Sequence, residues 1–216
     1  MRKLPVRPSV RLTVLFAAVT ITGCAAPATP APQSPPPASD DLPPAGYGTL
    51  HQEDVALKLA TESVQLRVLP LDEHVTRLLA PDSYESLRGL AAAHRAEIDS
   101  VAAGTGLRPR AFLVTFFGVG PGAAFSPDDL TITSQNRFFR PAAILPLSPV
   151  WSGRRLGQRE TASAIYLFED GIALSQPFSV SYGGSSSEQW ESILRTLERE
   201  RARIYARARG TGGGAR

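Results

Sequence analysis

Few residues in this chain have the type and spacing to do chemistry. Cysteine occurs once, at Cys24, and histidine three times, at His51, His74 and His94. A nucleophilic serine or cysteine needs a base within hydrogen-bond reach. Ser185-Ser186-Ser187 follows Gly183-Gly184 but lacks the G-x-S-x-G elbow. Ser185 and Glu188 have instead the spacing of a helix capping box. The histidines form neither H-x-x-x-H nor H-E-x-x-H. His51-Gln52-Glu53-Asp54 and Asp72-Glu73-His74 each offer two ligands, short of a full tetrahedral shell. Met1 is the only methionine, which argues against a soft-metal carrier. Neither a metal nor a cofactor is expected. Two acid pairs stand at strand ends, Asp128-Asp129 and Glu169-Asp170 before Gly171. Paired carboxylates serve as acid and base in glycoside hydrolysis, but Asp and Gly also suit solvated turns.

The context of Cys24 is more specific. Arg2, Lys3, Arg7 and Arg11 make a basic start with no acidic residue before Cys24. Residues 12–21 (LTVLFAAVTI) are an apolar run of ten, and Thr22-Gly23 supply small residues before the thiol. A membrane-spanning helix needs about twenty apolar residues. The order basic, apolar, small is that of a secretory signal. Ile21-Thr22-Gly23-Cys24 resembles the lipobox of bacterial lipoproteins, a likeness confined to residues 1–24. It implies diacylglyceryl transfer to the Cys24 thiol, cleavage of residues 1–23 and frequent acylation of the new amine. Two or three chains give stable anchoring where one is marginal. Ala25 follows, with no Asp as a retention signal, so the family pattern implies the outer membrane in a two-membrane cell.

Removing that signal changes the charge. The whole chain has 23 Lys+Arg and 20 Asp+Glu; from Cys24 on the balance is 19 to 20. The basic pI therefore belongs to the signal and gives no support for nucleic-acid binding. Eight of the 22 residues 25–46 are proline and none is aromatic. Such a segment cannot bury enough apolar surface to fold, so residues 24–46 are expected to be a lipidated cysteine and disordered linker. One domain is expected over residues 47–209, and a disordered tail over 210–216.

The elements follow from periodicity. Val55, Leu57 and Leu59, then Val64, Leu66 and Val68, alternate as a hairpin around Thr61-Glu62-Ser63. Asp82 and Glu85 have capping-box spacing before an apolar stripe of Leu87, Leu90, His94, Ile98 and Val101, which predicts a helix near 82–104. Residues 111–119 and 162–168 read as central strands, and Leu130 with Ile132, and Phe178 with Val180 and Tyr182, as half-buried ones. Pro141, Pro146 and Pro149 exclude a long central strand between them. Trp190, Ile193, Leu194, Leu197, Ile204 and Tyr205 mark one face of a C-terminal helix near 186–208. Residues 195–216 carry seven arginines and two glutamates. The stripe thins past Ala202, so that end is expected to project, with Arg203, Arg207 and Arg209 as a possible contact to an anionic lipid or glycan surface.

This pattern predicts a mainly β, α+β fold: a small antiparallel sandwich with added helices. The order VTFF, SPDDLTIT, NRFFRP, RLGQRETASAIYLF and FSVSY resembles the immunoglobulin-like modules of bacterial surface lipoproteins. That likeness implies an immunoglobulin-like β-sandwich. The expected protein is a lipid-anchored envelope component with a non-catalytic binding or accessory role. An envelope protein or glycan is its expected partner. The alternatives are an envelope hydrolase using the strand-end acids and a ligand- or metal-binding carrier.

Overall fold

The computed structural model describes residues 42–106 and 108–212. Cys24 and the signal lie outside them.

The chain enters through a segment tied to the domain. Pro43 is buried, and its carbonyl accepts from Arg77 Nη1 at 3.3 Å. Ordered packing thus begins inside the stretch expected to be linker, before residue 47. Leu50 forms an isolated parallel bridge to Leu79. Gly48 permits this close approach, since a Cβ there would lie 2.2 Å from the Leu79 carbonyl oxygen.

Helix α1 (Gln52–Val55) leads into β1 (Leu57–Ala60) and β2 (Val64–Pro70), the expected hairpin, except that Val55, expected in the first strand, ends the helix. A short helix, α2 (Glu73–Thr76), is capped by Asp72, whose carboxylate accepts from the His74 N–H. The helix expected near 82–104 is two helices. These are α3 (Pro81–Ala93) and α4 (Arg95–Thr105), separated at His94, which has left helical geometry at φ −106, ψ 16. The first starts at Pro81 with Ala80 as cap, so Asp82 lies inside it and no capping box forms. Proline at the first turn needs no N–H partner, which moves the start forward. Gly106, at φ 69, closes α4.

The strands follow: β3 (Arg110–Gly118), β4 (Ala123–Ala124), β5 (Thr131–Ser134), β6 (Arg137–Phe139), β7 (Pro141–Pro146), β8 (Arg155–Leu156), β9 (Thr161–Phe168), β10 (Phe178–Tyr182) and β11 (Ser185–Ser187). They form one sheet ordered β1-β2-β3-β9-β7, a second ordered β11-β10-β5-β6, and a small β4-β8 pair. Every pairing of named strands is antiparallel. The two readings of central strands hold: β3 pairs with β2 and β9, and β9 pairs with β3 and β7. β7 starts and ends at proline and stands at an edge, where a missing N–H donor is tolerated.

The sheets meet through aromatic rings. Phe112 and Phe116 of β3 pack edge-on against Phe178 and Tyr182 of β10, with centroids at 6.2 and 5.4 Å. Two tyrosines hold the corner before β5. The Tyr166 hydroxyl donates to the Pro127 carbonyl, and the Tyr182 hydroxyl accepts from the Ser126 N–H, both at 2.9 Å. Burial pushes both phenols up from their ordinary value and keeps them neutral. On the other face of the first sheet Ile165 and Leu167 are also buried, and α4 packs against β7 there.

Helix α5 (Trp190–Gly212) begins later and runs further than expected, because Ser185, Ser186 and Ser187 are strand and not helix cap. Its far end does not project. Ile204 is fully buried, and Arg207 donates from Nη1 to the Tyr47 carbonyl and from Nη2 to Glu200. Between the buried Leu197 and Ile204 a buried carboxylate takes the stripe's place: Glu200 is 1% exposed. Among the described residues no helix is long and apolar enough to cross a membrane.

Candidate binding surface

The second sheet has one face on the core and one open. Burial alternates along β5 and β10, so Ile132, Phe178, Val180 and Tyr182 point inward. Thr131, Thr133, Ser179 and Ser181 therefore point outward. Register aligns them across strands. Phe138, Thr133 and Ser179 form one row, and Thr131, Ser181 and Ser186 a second. Arg140, exposed, follows Phe139 where β6 ends and the chain turns towards β7. The Ser181 hydroxyl reaches that of Ser186 at 3.4 Å. Those of Thr131, Thr133 and Ser179 have no protein partner among the described residues, and so remain available to a ligand.

Phe138 stands out on this face: it is 81% exposed. The hairpin holds it there. Gln135 and Asn136, with φ of 51 and 58, make a tight two-residue turn that Asn tolerates. Gln135 Nε2 donates to Gln176 Oε1 at 2.9 Å. Phe139 takes the core side, and the Arg137 guanidinium lies 5.1 Å from its ring centre. The tight fit continues at Gly171, where a Cβ would meet both Phe139 and Arg137.

Sequence reasoning missed this surface. The available signal was charge: residues 130–159 contain five arginines and no acidic residue. Adjacent Phe138 and Phe139 carry no alternation that says which ring faces out. Only the register with β5 decides that.

A second feature is a groove of about 390 Å³ between the helix pair α3–α4 and the start of β3, lined in part by Leu71, Ile98, Arg108, Arg110 and Leu174. Its polar wall is a relay of ion pairs. Arg110 Nη1 donates to Asp72 Oδ2 at 2.7 Å, and its Nε lies 3.6 Å from Asp170 Oδ1. Asp72 Oδ1 also faces His74 Nδ1 at 3.0 Å. These charges satisfy one another and Arg108 is exposed, so among the described residues the groove has no unpaired buried charge to aim at a ligand.

The other candidates are dispersed. Asp128 sits exposed in a single 3-10 turn, 3.8 Å from Arg154 Nη2, with Asp129 beside it. Glu169 is exposed after β9, and Asp170 Oδ1 accepts from the Gly171 N–H. Of these four acids, only Asp170 lines the groove. Asp128→Asn and Glu169→Gln should each shift stability by less than about 0.5 kcal/mol, as exposed substitutions do. Chemical unfolding of the two variants checks this, and a loss several times larger would give these acids a structural partner.

His51 is exposed beside Asp54, whose carboxylate accepts from the His51 N–H, and His94 lies 3.9 Å from Glu97. Among the described residues no three His, Cys, Asp or Glu side chains are grouped to hold a metal. The basic trio of α5 divides. Arg203 is 70% exposed, 3.7 Å from Glu200 Oε2, whereas Arg207 is committed to internal bonds. Arg209 is exposed, with Nε donating to the Tyr205 carbonyl. No protein-family model, curated protein or solved structure matches this chain.

Proposed function

We propose that this chain is a lipid-anchored cell-envelope protein, attached through Cys24, whose domain has a non-catalytic binding or accessory role. The observation that carries the anchor is the N-terminal order: basic residues 2–11, an apolar run of ten, then Ile-Thr-Gly before the chain's single cysteine. A thiol is the nucleophile this modification requires. The same family pattern, with Ala25 after the cysteine, supports the outer membrane as its place in a cell with two membranes. The binding role draws on the open face of the second sheet, where the largely exposed Phe138 stands beside the unpartnered hydroxyls of Thr133 and Ser179. The fold reading within this proposal is an immunoglobulin-like sandwich. Two antiparallel sheets joined by crossing connections support it, and so does the Gly-x-x-Glu-Thr turn, in which Glu160 Oε2 accepts from the Gly157 N–H at 2.7 Å.

Cys24→Ser tests the anchor. The variant should accumulate as an uncleaved, unlipidated precursor and leave the detergent phase on phase partitioning. A Cys24→Ser protein that still fractionates with lipoproteins would overturn the anchor without touching the binding role.

A further inference from the structure

We infer that the outer face of the β11-β10-β5-β6 sheet binds an extended, anionic glycan. Phe138 would be the stacking platform, the hydroxyl rows the hydrogen-bonding bed and Arg140 the carboxylate contact. This deepens the binding role proposed above and is independent of lipidation at Cys24.

The chemistry of the face selects the occupant. A sugar ring offers a C–H-rich face, which packs on an aromatic ring, and a rim of hydroxyls, which pair with side-chain hydroxyls. The row Phe138, Thr133, Ser179 presents these groups in that order across three strands. Strands lie about 4.8 Å apart, in step with successive rings of an extended sugar chain. The parallel row of Thr131, Ser181 and Ser186 gives a second line of hydroxyls. The rows hold no carboxylate, and the segment supplying Phe138 and Arg140 has arginines only. A negatively charged chain therefore meets no carboxylate within the rows, the nearest in sequence being the exposed Asp128 and Asp129 ahead of β5.

Other occupants fit less well. A bilayer would gain nothing from burying five hydroxyls, and the single aromatic offers little area to insert. Strand addition needs a long free edge, but β6 has three residues before the chain passes through Arg140 into β7 of the other sheet.

The test uses the chain from residue 24 onward carrying Cys24→Ser, which keeps every described residue and removes the lipid. Insoluble peptidoglycan, a carboxylate-bearing glycan, is the probe. Chitin is its uncharged counterpart, and phosphatidylglycerol vesicles are the lipid arm. Co-sedimentation should favour peptidoglycan over chitin and vesicles, and weaken as salt rises. Phe138→Ala should reduce binding by about tenfold, as loss of an aromatic anchor does. Thr133→Glu should also weaken it by placing a like charge in the row. Arg88→Ala, on exposed α3, should bind as the parent does, and circular dichroism should show all variants folded. Absence of peptidoglycan binding would overturn the inference. So would equal binding by Phe138→Ala and the parent, or a preference for vesicles. None of these outcomes bears on whether Cys24 is lipidated, which phase partitioning decides separately.

Discussion

Trp190→Ala should lower the stability of the domain by about 3–5 kcal/mol, the range for removing a large buried aromatic. Trp190 is fully buried at the start of α5. Its ring lies 4.7 Å from that of Phe178, and its Nε1–H donates to the Leu174 carbonyl at 3.0 Å. One side chain thus joins α5 to the second sheet and to the loop after β9. Alanine would leave a cavity and an unmet carbonyl together. A fall in melting temperature of roughly 10 °C follows for a domain of this size. Trp190→Phe should recover most of the loss, leaving about 1 kcal/mol for the missing N–H. Thermal and urea unfolding provide the measurement. A loss under about 1 kcal/mol for the alanine variant would mean that the helix does not depend on this contact.

Glu200→Ala should cost about 2–3 kcal/mol, the scale of hydrogen bonds to a charged group. The Oε1 atom of this carboxylate accepts from the Thr49 N–H at 3.1 Å, from the Thr49 hydroxyl at 2.9 Å and from Arg207. It therefore clamps the incoming chain to the end of α5. Oε2 has no hydrogen-bond partner and relies on Arg203 at 3.7 Å. Loss of the carboxylate strands the Thr49 donors. Arg207 is 38% exposed and can turn to water, which keeps the cost below that of a fully buried pair. Glu200→Gln should lose less, about 1 kcal/mol, because its amide oxygen can still accept from Thr49. Equilibrium unfolding gives the size, and limited proteolysis gives the place: cleavage near residues 47–51 should accelerate in the alanine variant. Unchanged stability and cleavage would remove the clamp.

Where side chains obey a simple period, the sequence is legible. The β1–β2 hairpin and the central strands β3 and β9 follow from alternation alone, and Pro141 and Pro146 excluded a central strand where the edge strand β7 stands. Asn136, Gly183 and Gly184 are residue types that tolerate positive φ, whereas Gln135 takes φ 51 only because the hairpin imposes it. The helix starts were not readable. Asp82 with Glu85 and Ser185 with Glu188 both have capping-box spacing, yet one pair sits inside a helix that proline starts earlier, and the other leaves its serine in a strand. Capping depends on local geometry, which spacing does not determine.

The sequence by itself determined the N-terminal order around Cys24, the β-rich α+β class and the amphipathic C-terminal helix, because each depends on neighbours along the chain. Tertiary structure decided the rest. It turned Phe138 outward and Phe139 inward, since two adjacent strand residues must take opposite faces and only pairing with Ile132 selects which. It also divided the arginines of α5. Arg207 meets Glu200 two turns back on its own helix, and the fold brings Thr49 and the Tyr47 carbonyl, remote in sequence, to the same place, so what read as a basic surface became in part an internal clamp.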